Sequence, residues 1–399
     1  MNEQPTTAPI DIDRIRADTP GVGEVLHFNN AGAGLMPGSV VEAVVEHIRL
    51  ESRIGGYEAA AREAGRLSAV YDEIAGLIGA KPGEIAIVEN ATVAWDQAFY
   101  ALDFKPGDRI LTAQAEYAAN YIAFLQRARR DGVVIDVVPN DDSGGLDPVA
   151  LEAMIDARTA LIAVTWIPTN GGLVNPAAEV GRIAQKHGIL YLLDACQAVG
   201  QMPVDVAALG CDFLSATGRK FLRGPRGTGF LYVREALIET LEPAMIDMFA
   251  ATWVSRDSYE LRADARRFEN WENAYALRLG LGEAVRYARA IGLPAIQARA
   301  WGLAEQLRGE LGEMPGVTIH DAGSERCAIV SFSVDGSDAA EIAAGLRLDG
   351  INISVSRASS TRLDAEARNL PPLLRASPHY YNTEAEVERF VAALAVVCV

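Results

Sequence analysis

A chain of 399 residues has room for two or three domains, and with 50% hydrophobic and 22% charged residues it carries ordinary globular core material. A formal charge of −17 argues against a nucleic-acid footprint, which needs a basic face. Cys196, Cys211, Cys327 and Cys398 stand at no metal spacing and the histidines form no His-x-x-x-His pair, so no metal is expected. Met1 to Pro9 is polar, without the apolar run of a signal peptide, and no stretch is long enough to span a bilayer. A cytoplasmic enzyme without membrane partners is the expectation.

Residues up to about Val25 read as a short arm with one amphipathic turn at 10–15. Glycines and small residues from His27 to Pro37, including Asn30, allow close backbone approach to something. A helix is expected over Gly38–Ser52, broken by Gly55-Gly56-Tyr57 and resumed over Glu58–Leu77. Strand Ile85–Glu89 then runs through Asn90-Ala91-Thr92 into a helix at Val93–Ala101. A strand, a turn of small residues and a helix start form an anion site, because the first N–H groups are unpaired. The alternative is Thr92 as a simple cap.

Strand Arg109–Thr112 leads to Ala115-Glu116-Tyr117-Ala118-Ala119-Asn120. Strands Val133–Val138 and Ala160–Trp166 follow, then the turn Ile167-Pro168-Thr169-Asn170-Gly171-Gly172 and a crossover helix at Val180–His187. Ile189–Leu193 is a continuous apolar run, as in a parallel strand buried on both faces. It ends in Asp194, which either caps the next helix or meets a positive partner such as the pyridinium nitrogen of pyridoxal phosphate. Alternating strands and helices imply an α/β fold with a mostly parallel sheet and right-handed crossovers. Ligands then sit at the carboxyl ends of the strands, where Asn90-Ala91-Thr92, Tyr117, Thr169 and Asp194 all lie.

Asp212–Ala216 and Gly229–Val233 read as two more buried strands. Between them lie Thr217, Arg219 and Lys220 in a Gly-rich turn. Lys220 is either a surface lysine on a hairpin loop or a buried amine of lowered pKa, able to attack a carbonyl carbon and hold a Schiff base. Beyond Val233 the pattern turns helical, with a long helical region from Arg266 to about Leu311. The C-terminal part alternates again: Val317–Ile319, Ala328–Val334, a helix at Ser337–Asp349, a strand Ile351–Val355, and Arg375 in Arg-Ala-Ser before Thr383, which caps the last helix.

Leu193-Asp194-Ala195-Cys196-Gln197-Ala198, Ser215-Ala216-Thr217-Gly218-Arg219-Lys220 and Gly224-Pro225-Arg226-Gly227-Thr228-Gly229 together resemble the class V aminotransferase group of fold-type I pyridoxal-phosphate (PLP) enzymes. The group includes cysteine desulfurases, selenocysteine lyases and isopenicillin N epimerase-like proteins. The resemblance runs from about Phe28 to the C-terminus. It implies a seven-stranded large domain over 28–265, a connecting helix and small α+β domain over 266–399, and an N-terminal arm over 1–27 packing with the small domain. It makes Lys220 the Schiff-base lysine, Asp194 the partner of the ring nitrogen and Gln197 that of the phenolic oxygen. Thr217, Arg219, Ala91 and Thr92 would hold the phosphate, and Tyr117 would stack on the ring. Thr169, with Asn170 one step on, would touch the cofactor oxygen. Arg375 would grip a substrate α-carboxylate by a bidentate fork, with Asn30 close to the substrate. Arg357, read from its loop and not from the resemblance, either reaches a second acidic or polar group on the substrate or is a solvated loop arginine.

Three departures matter. Tyr117 stands where the family often has His, and cannot serve as an acid near neutral pH. Glu272 stands near the family's phosphate-binding Thr from the partner subunit. Ser359 stands where desulfurases carry their persulfide-forming Cys, and serine is a far weaker sulfur nucleophile. The resemblance therefore implies a homodimeric enzyme acting on an α-amino acid, with carbon–sulfur lyase chemistry ranked first. Aminotransferase and epimerase are the alternatives within the family, and a non-catalytic PLP-binding protein is the alternative outside it.

Overall fold

A computed structural model describes residues 10–397, so Met1 to Pro9 and Cys398 lie outside the described residues. Seven strands form the main sheet: β1 (Ile85–Val88), β2 (Arg109–Ala113), β3 (Val134–Val138), β4 (Thr159–Thr165), β5 (Leu190–Asp194), β6 (Phe213–Thr217) and β7 (Gly229–Val233). Their order is β1-β7-β6-β5-β4-β2-β3, and only β7 runs against its neighbours. The central strands are apolar and buried on both faces, as a sheet covered by helices on each side requires. One apolar cluster lies on each face: Leu111, Ile162, Leu193 and Leu214 belong to one, and Ile110, Ala163, Leu192 and Phe213 to the other. That alternation is the period-2 side-chain geometry of strands.

The small sheet has four antiparallel strands, ordered Val317–Ile319, Val330–Val334, Leu373–Ala376, Ser354–Ser356. Leu26–His27 pairs in parallel with Ile351–Asn352, and Arg16 Nη1 reaches Glu386 at 2.8 Å. The expected strand Ile351–Val355 is thus two pieces serving two sheets, divided at Ile353.

Three other expectations are corrected. The helical region from Arg266 begins with a single 3-10 turn, Ala265–Phe268, and its helices run Tyr275–Ile291 and Leu293–Gly312. Gly292 at φ 95° and Pro294 in the next first turn separate them. An antiparallel hairpin, Ala251–Ser255 with Ser258–Leu261, stands where only helix was expected. Its strands are mostly exposed on both faces, so the hydrophobic pattern that marks a half-buried strand is missing. The resumed helix after Tyr57 is also two pieces, Gly56–Arg62 and Ala64–Ile78.

Candidate active site

A cavity opens at the carboxyl ends of β4 and β5, lined by Tyr117, Thr165, Ile167, Thr169, Asp194, Cys196, Gln197 and Lys220. Lys220 enters it from the β6–β7 loop. That loop is closed by Gly218 N–H donating to Thr228 O at 3.0 Å and Gly224 N–H donating to Gly218 O at 2.7 Å. Gly218 has no substitute there, since a Cβ would lie 2.3 Å from Thr228 Oγ1. The small-residue segment after His27 approaches this same loop: a Cβ on Gly34 would lie 2.7 Å from Lys220 O.

Burial lowers the Lys220 pKa below its ordinary value; Cys196 and Asp194 oppose the shift, and Arg219 and Arg375 add to it. Asp194 is held from two sides. Its Oδ1 accepts from Cys196 N–H at 2.9 Å and its Oδ2 from Asn120 Nδ2 at 3.0 Å. Gln197 Nε2 donates to Ala31 O at 3.2 Å, while its buried Oε1 has no protein partner. Burial pushes the Cys196 thiol well above its ordinary pKa, and Asp194 adds to that.

Arg375 is 8% exposed and has no carboxylate partner among the described residues. Its Nη1 donates to Thr169 O at 2.8 Å and Thr169 Oγ1 at 2.9 Å, and its buried Nε is unpartnered. Burial, with Arg219 adding, pushes the guanidinium down to about 10, which leaves it charged at neutral pH. A buried cation without a counter-charge is costly, and an anionic ligand relieves that cost.

The remaining candidates divide. Ala91 and Thr92 open the helix Ala91–Tyr100, capped by Asn90 Oδ1, which accepts from Val93 N–H at 3.0 Å. β7 presses against this turn, since a Cβ on Gly229 would lie 2.7 Å from the Asn90 carbonyl carbon. Thr217 is buried, with Oγ1 donating to Thr228 O at 3.2 Å, and the half-buried Arg219 donates to Gly32 O. Asn30 is committed elsewhere: Nδ2 donates to Ser377 O at 2.8 Å and Oδ1 accepts from Tyr381 O–H at 2.6 Å. Its neighbour Asn29 is the one near Arg375, with Oδ1 accepting from Nη2 at 3.4 Å. Asn170 Nδ2 donates to Thr361 Oγ1 at 2.8 Å and Arg357 O at 3.2 Å, which ties it to the C-terminal loop and not to the cavity. The Arg357 side chain and Ser359 are exposed on that loop.

Sequence reasoning missed Glu116, Asn120 and Thr165, which pack behind Asp194, and Arg223. The buried Arg223 sits at φ 61° and donates to Leu35 O, Tyr380 Oη and Thr19 Oγ1 at 2.6, 2.7 and 2.6 Å. Its signal was only a charged residue inside an otherwise Gly-rich loop.

The site's donor set fits PLP. Asp194 offers a carboxylate for a ring nitrogen, Lys220 an amine for an aldehyde, and the turn at Ala91 a helix start for a phosphate. The orphaned Gln197 Oε1 and Arg375 Nε mark buried polar atoms that the protein alone leaves unsatisfied.

Residues 26–390 match the family model for aminotransferase class-V. A probable cysteine desulfurase of Methanothermobacter thermautotrophicus is 31% identical over 381 residues, covering 94% of this chain and 95% of its own. The cysteine desulfurase of Shigella flexneri is 30% identical, covering 96% and 97%. Among solved structures, apo cysteine desulfurase from Thermococcus onnurineus superposes with a TM-score of 0.90 at 29% identity, covering 98% of this chain and 99% of that one. A complex of the cystine C–S lyase C-DES with cysteine persulfide shares the fold, with a TM-score of 0.86 at 23% identity over 94% and 99% of the two chains. The chain therefore belongs to the aminotransferase class-V family of PLP-dependent enzymes.

Proposed function

We propose that the chain is a carbon–sulfur lyase that cleaves a sulfur-bearing α-amino acid by β-elimination. The observation that carries this reading is the loop around Arg357, which presents Ser359 in place of a thiol while the desulfurase-like frame remains. The one thiol at the cavity wall, Cys196, is held protonated and makes a poor sulfur acceptor. PLP, when bound, supplies the electron sink for negative charge at the substrate Cα. Lys220 anchors it, and afterwards Nζ takes the proton from Cα as general base, helped by its lowered pKa. Arg375 orients the substrate through its α-carboxylate, and Asp194 holds the proton on the ring nitrogen. Thr217, Arg219 and the N–H groups at Ala91 and Thr92 hold the phosphate. The sulfur would leave Cβ with the bonding electrons as a thiol or sulfide, and water would then add to the imine that remains, giving a keto acid and releasing the substrate nitrogen as ammonia.

Holoenzyme incubated with cysteine, cystine and S-substituted cysteines tests this. Thiol or sulfide release in step with keto acid is the expected result. Keto-acid exchange without sulfur release would make the enzyme an aminotransferase, and loss of optical purity alone an epimerase.

We further propose a homodimer. Met245, Met248, Trp253, Val254, Tyr259 and Trp271 are all exposed, and aromatic and Met side chains of this kind suit an interface core. The reading in which Glu272 lies near the partner's phosphate site belongs with it. Free Cys196, Cys211 and Cys327 fit a reducing cytoplasm, the compartment we propose. No helix among the described residues is long and apolar enough to cross a membrane.

A further inference from the structure

We propose that Glu116 is a positioning residue that keeps the ring nitrogen of the bound cofactor protonated, by holding a second negative charge behind Asp194. The proposal rests on Asp194 facing that nitrogen. Thr165 and Asp194 are paired across β4 and β5, and the start of the helix Ala118–Asp131 packs against both. Glu116 sits at this junction, 3% exposed, and fixes all three elements. Its Oε1 accepts from Tyr117 N–H at 3.0 Å, from Asn120 Nδ2 at 2.8 Å and from the Thr165 hydroxyl. Its Oε2 accepts from Thr165 N–H and from Thr112 Oγ1, both at 3.0 Å. Peptide and amide N–H groups can only donate, and each carboxylate oxygen receives at least one, which favours the ionised form against the opposing effect of burial.

The bridge is Asn120, whose single amide nitrogen donates to Glu116 Oε1 and to Asp194 Oδ2. Two carboxylates therefore share one donor, and no Lys or Arg pairs with Glu116 among the described residues. Burial pushes the Glu116 carboxyl up to about 7, and the Asp194 charge adds to that. The other titratable neighbour is Tyr191 on β5, itself held neutral by burial. A proton on the ring nitrogen, seated against Asp194, converts the repulsion into attraction for both carboxylates. By the reciprocity of linkage, an ionised Glu116 raises the proton affinity of that nitrogen.

The readout is the nitrogen-15 signal of labelled PLP in the holoenzyme across a pH series, together with the cofactor dissociation constant. Glu116→Gln removes the charge, and the midpoint of ring-nitrogen protonation should fall by about one pH unit, a roughly tenfold loss of proton affinity. Asn120→Ala keeps the charge and should not lower the midpoint. Thr112→Val removes one donor; it should lower the melting temperature and leave the midpoint in place. An unchanged midpoint in Glu116→Gln, or an equal fall in Thr112→Val, would overturn the proposal. Asp194→Asn separates the two readings: a ring nitrogen still protonated in that variant would remove the Asp194 assignment itself. If Glu116→Gln yields no soluble holoenzyme, infrared spectra of the wild type decide. A buried protonated-acid band near pH 8 that disappears on raising the pH would overturn the proposal, and its absence would support it.

Discussion

Lys220 and Arg375 are two cations buried in one small site, and each carries an electrostatic cost that the apoprotein bears. For Lys220 the consequence can be given a sign. Its folded pKa lies below the ordinary 10.5, so the unfolded chain binds its proton more tightly. The penalty is full below the folded pKa and fades as pH rises from there toward 10.5. Apo Lys220→Met should therefore resist urea better than the wild type at neutral pH, with a gap that narrows in alkali; a gap that widens would contradict the buried-amine reading. In the holoenzyme, Lys220→Ala should abolish turnover, and borohydride should then label no lysine. Arg375→Ala should weaken amino-acid binding by about 2–5 kcal/mol, as when one side of a buried charged contact is removed. Titration of cofactor against the same variant should show nearly wild-type affinity. How far single residues were legible depended on distance along the chain. Lys220, Asp194 and Gln197 sit beside their strands and could be picked out locally. Asn29 and Asn30 are neighbours in one loop, and only the position of Ser377 and Tyr381 decides which of them turns toward Arg375.

At the scale of elements, the loop carrying Lys220 is the part under tension. Arg223 occupies a left-handed backbone conformation that side chains seldom adopt, and it is kept there by three hydrogen bonds and the Tyr381 ring 4.5 Å from its guanidinium. It joins Thr19 and Leu35 to the Tyr380–Tyr381 segment, a few residues beyond Arg375. Arg223→Ala should cost about 2–4 kcal/mol by chemical denaturation. Arg223→Gly should be milder by roughly 0.5–1 kcal/mol, because glycine accepts positive φ without a penalty. The reverse ranking would show that backbone strain is absent. Strands of the main sheet were legible because buried parallel strands are continuous apolar runs. The hairpin Ala251–Leu261 was not, because its side chains meet water in this chain and follow no burial period. The Glu116–Asn120–Asp194 connection needed the β4–β5 register, which no local pattern records.

On the scale of the whole molecule, the hairpin and the segment after it carry the exposed aromatic side chains Trp253, Tyr259 and Trp271, with Trp253 at 79% exposure. A charge there should disfavour self-association. Trp253→Glu is expected to shift light scattering from dimer toward monomer; wild-type protein that scatters as a monomer at full activity would remove the dimer proposal.

The burial of Cys211 and Cys327 has a further use. Cys211 lies at the entrance to β6 in the large sheet and Cys327 just before the strand Val330–Val334 in the small one, both at 2% exposure or less. Burial drives the Cys211 thiol far up and that of Cys327 up to about 12, so neither reacts with an alkylating agent while its surroundings stay closed. Each thiol is therefore a clock for the opening of its own half of the chain. Timed alkylation followed by peptide mapping would give two opening rates, with and without PLP. Since the proposed PLP contacts lie mainly on the large sheet, the Cys211 clock is the one that added PLP should slow more.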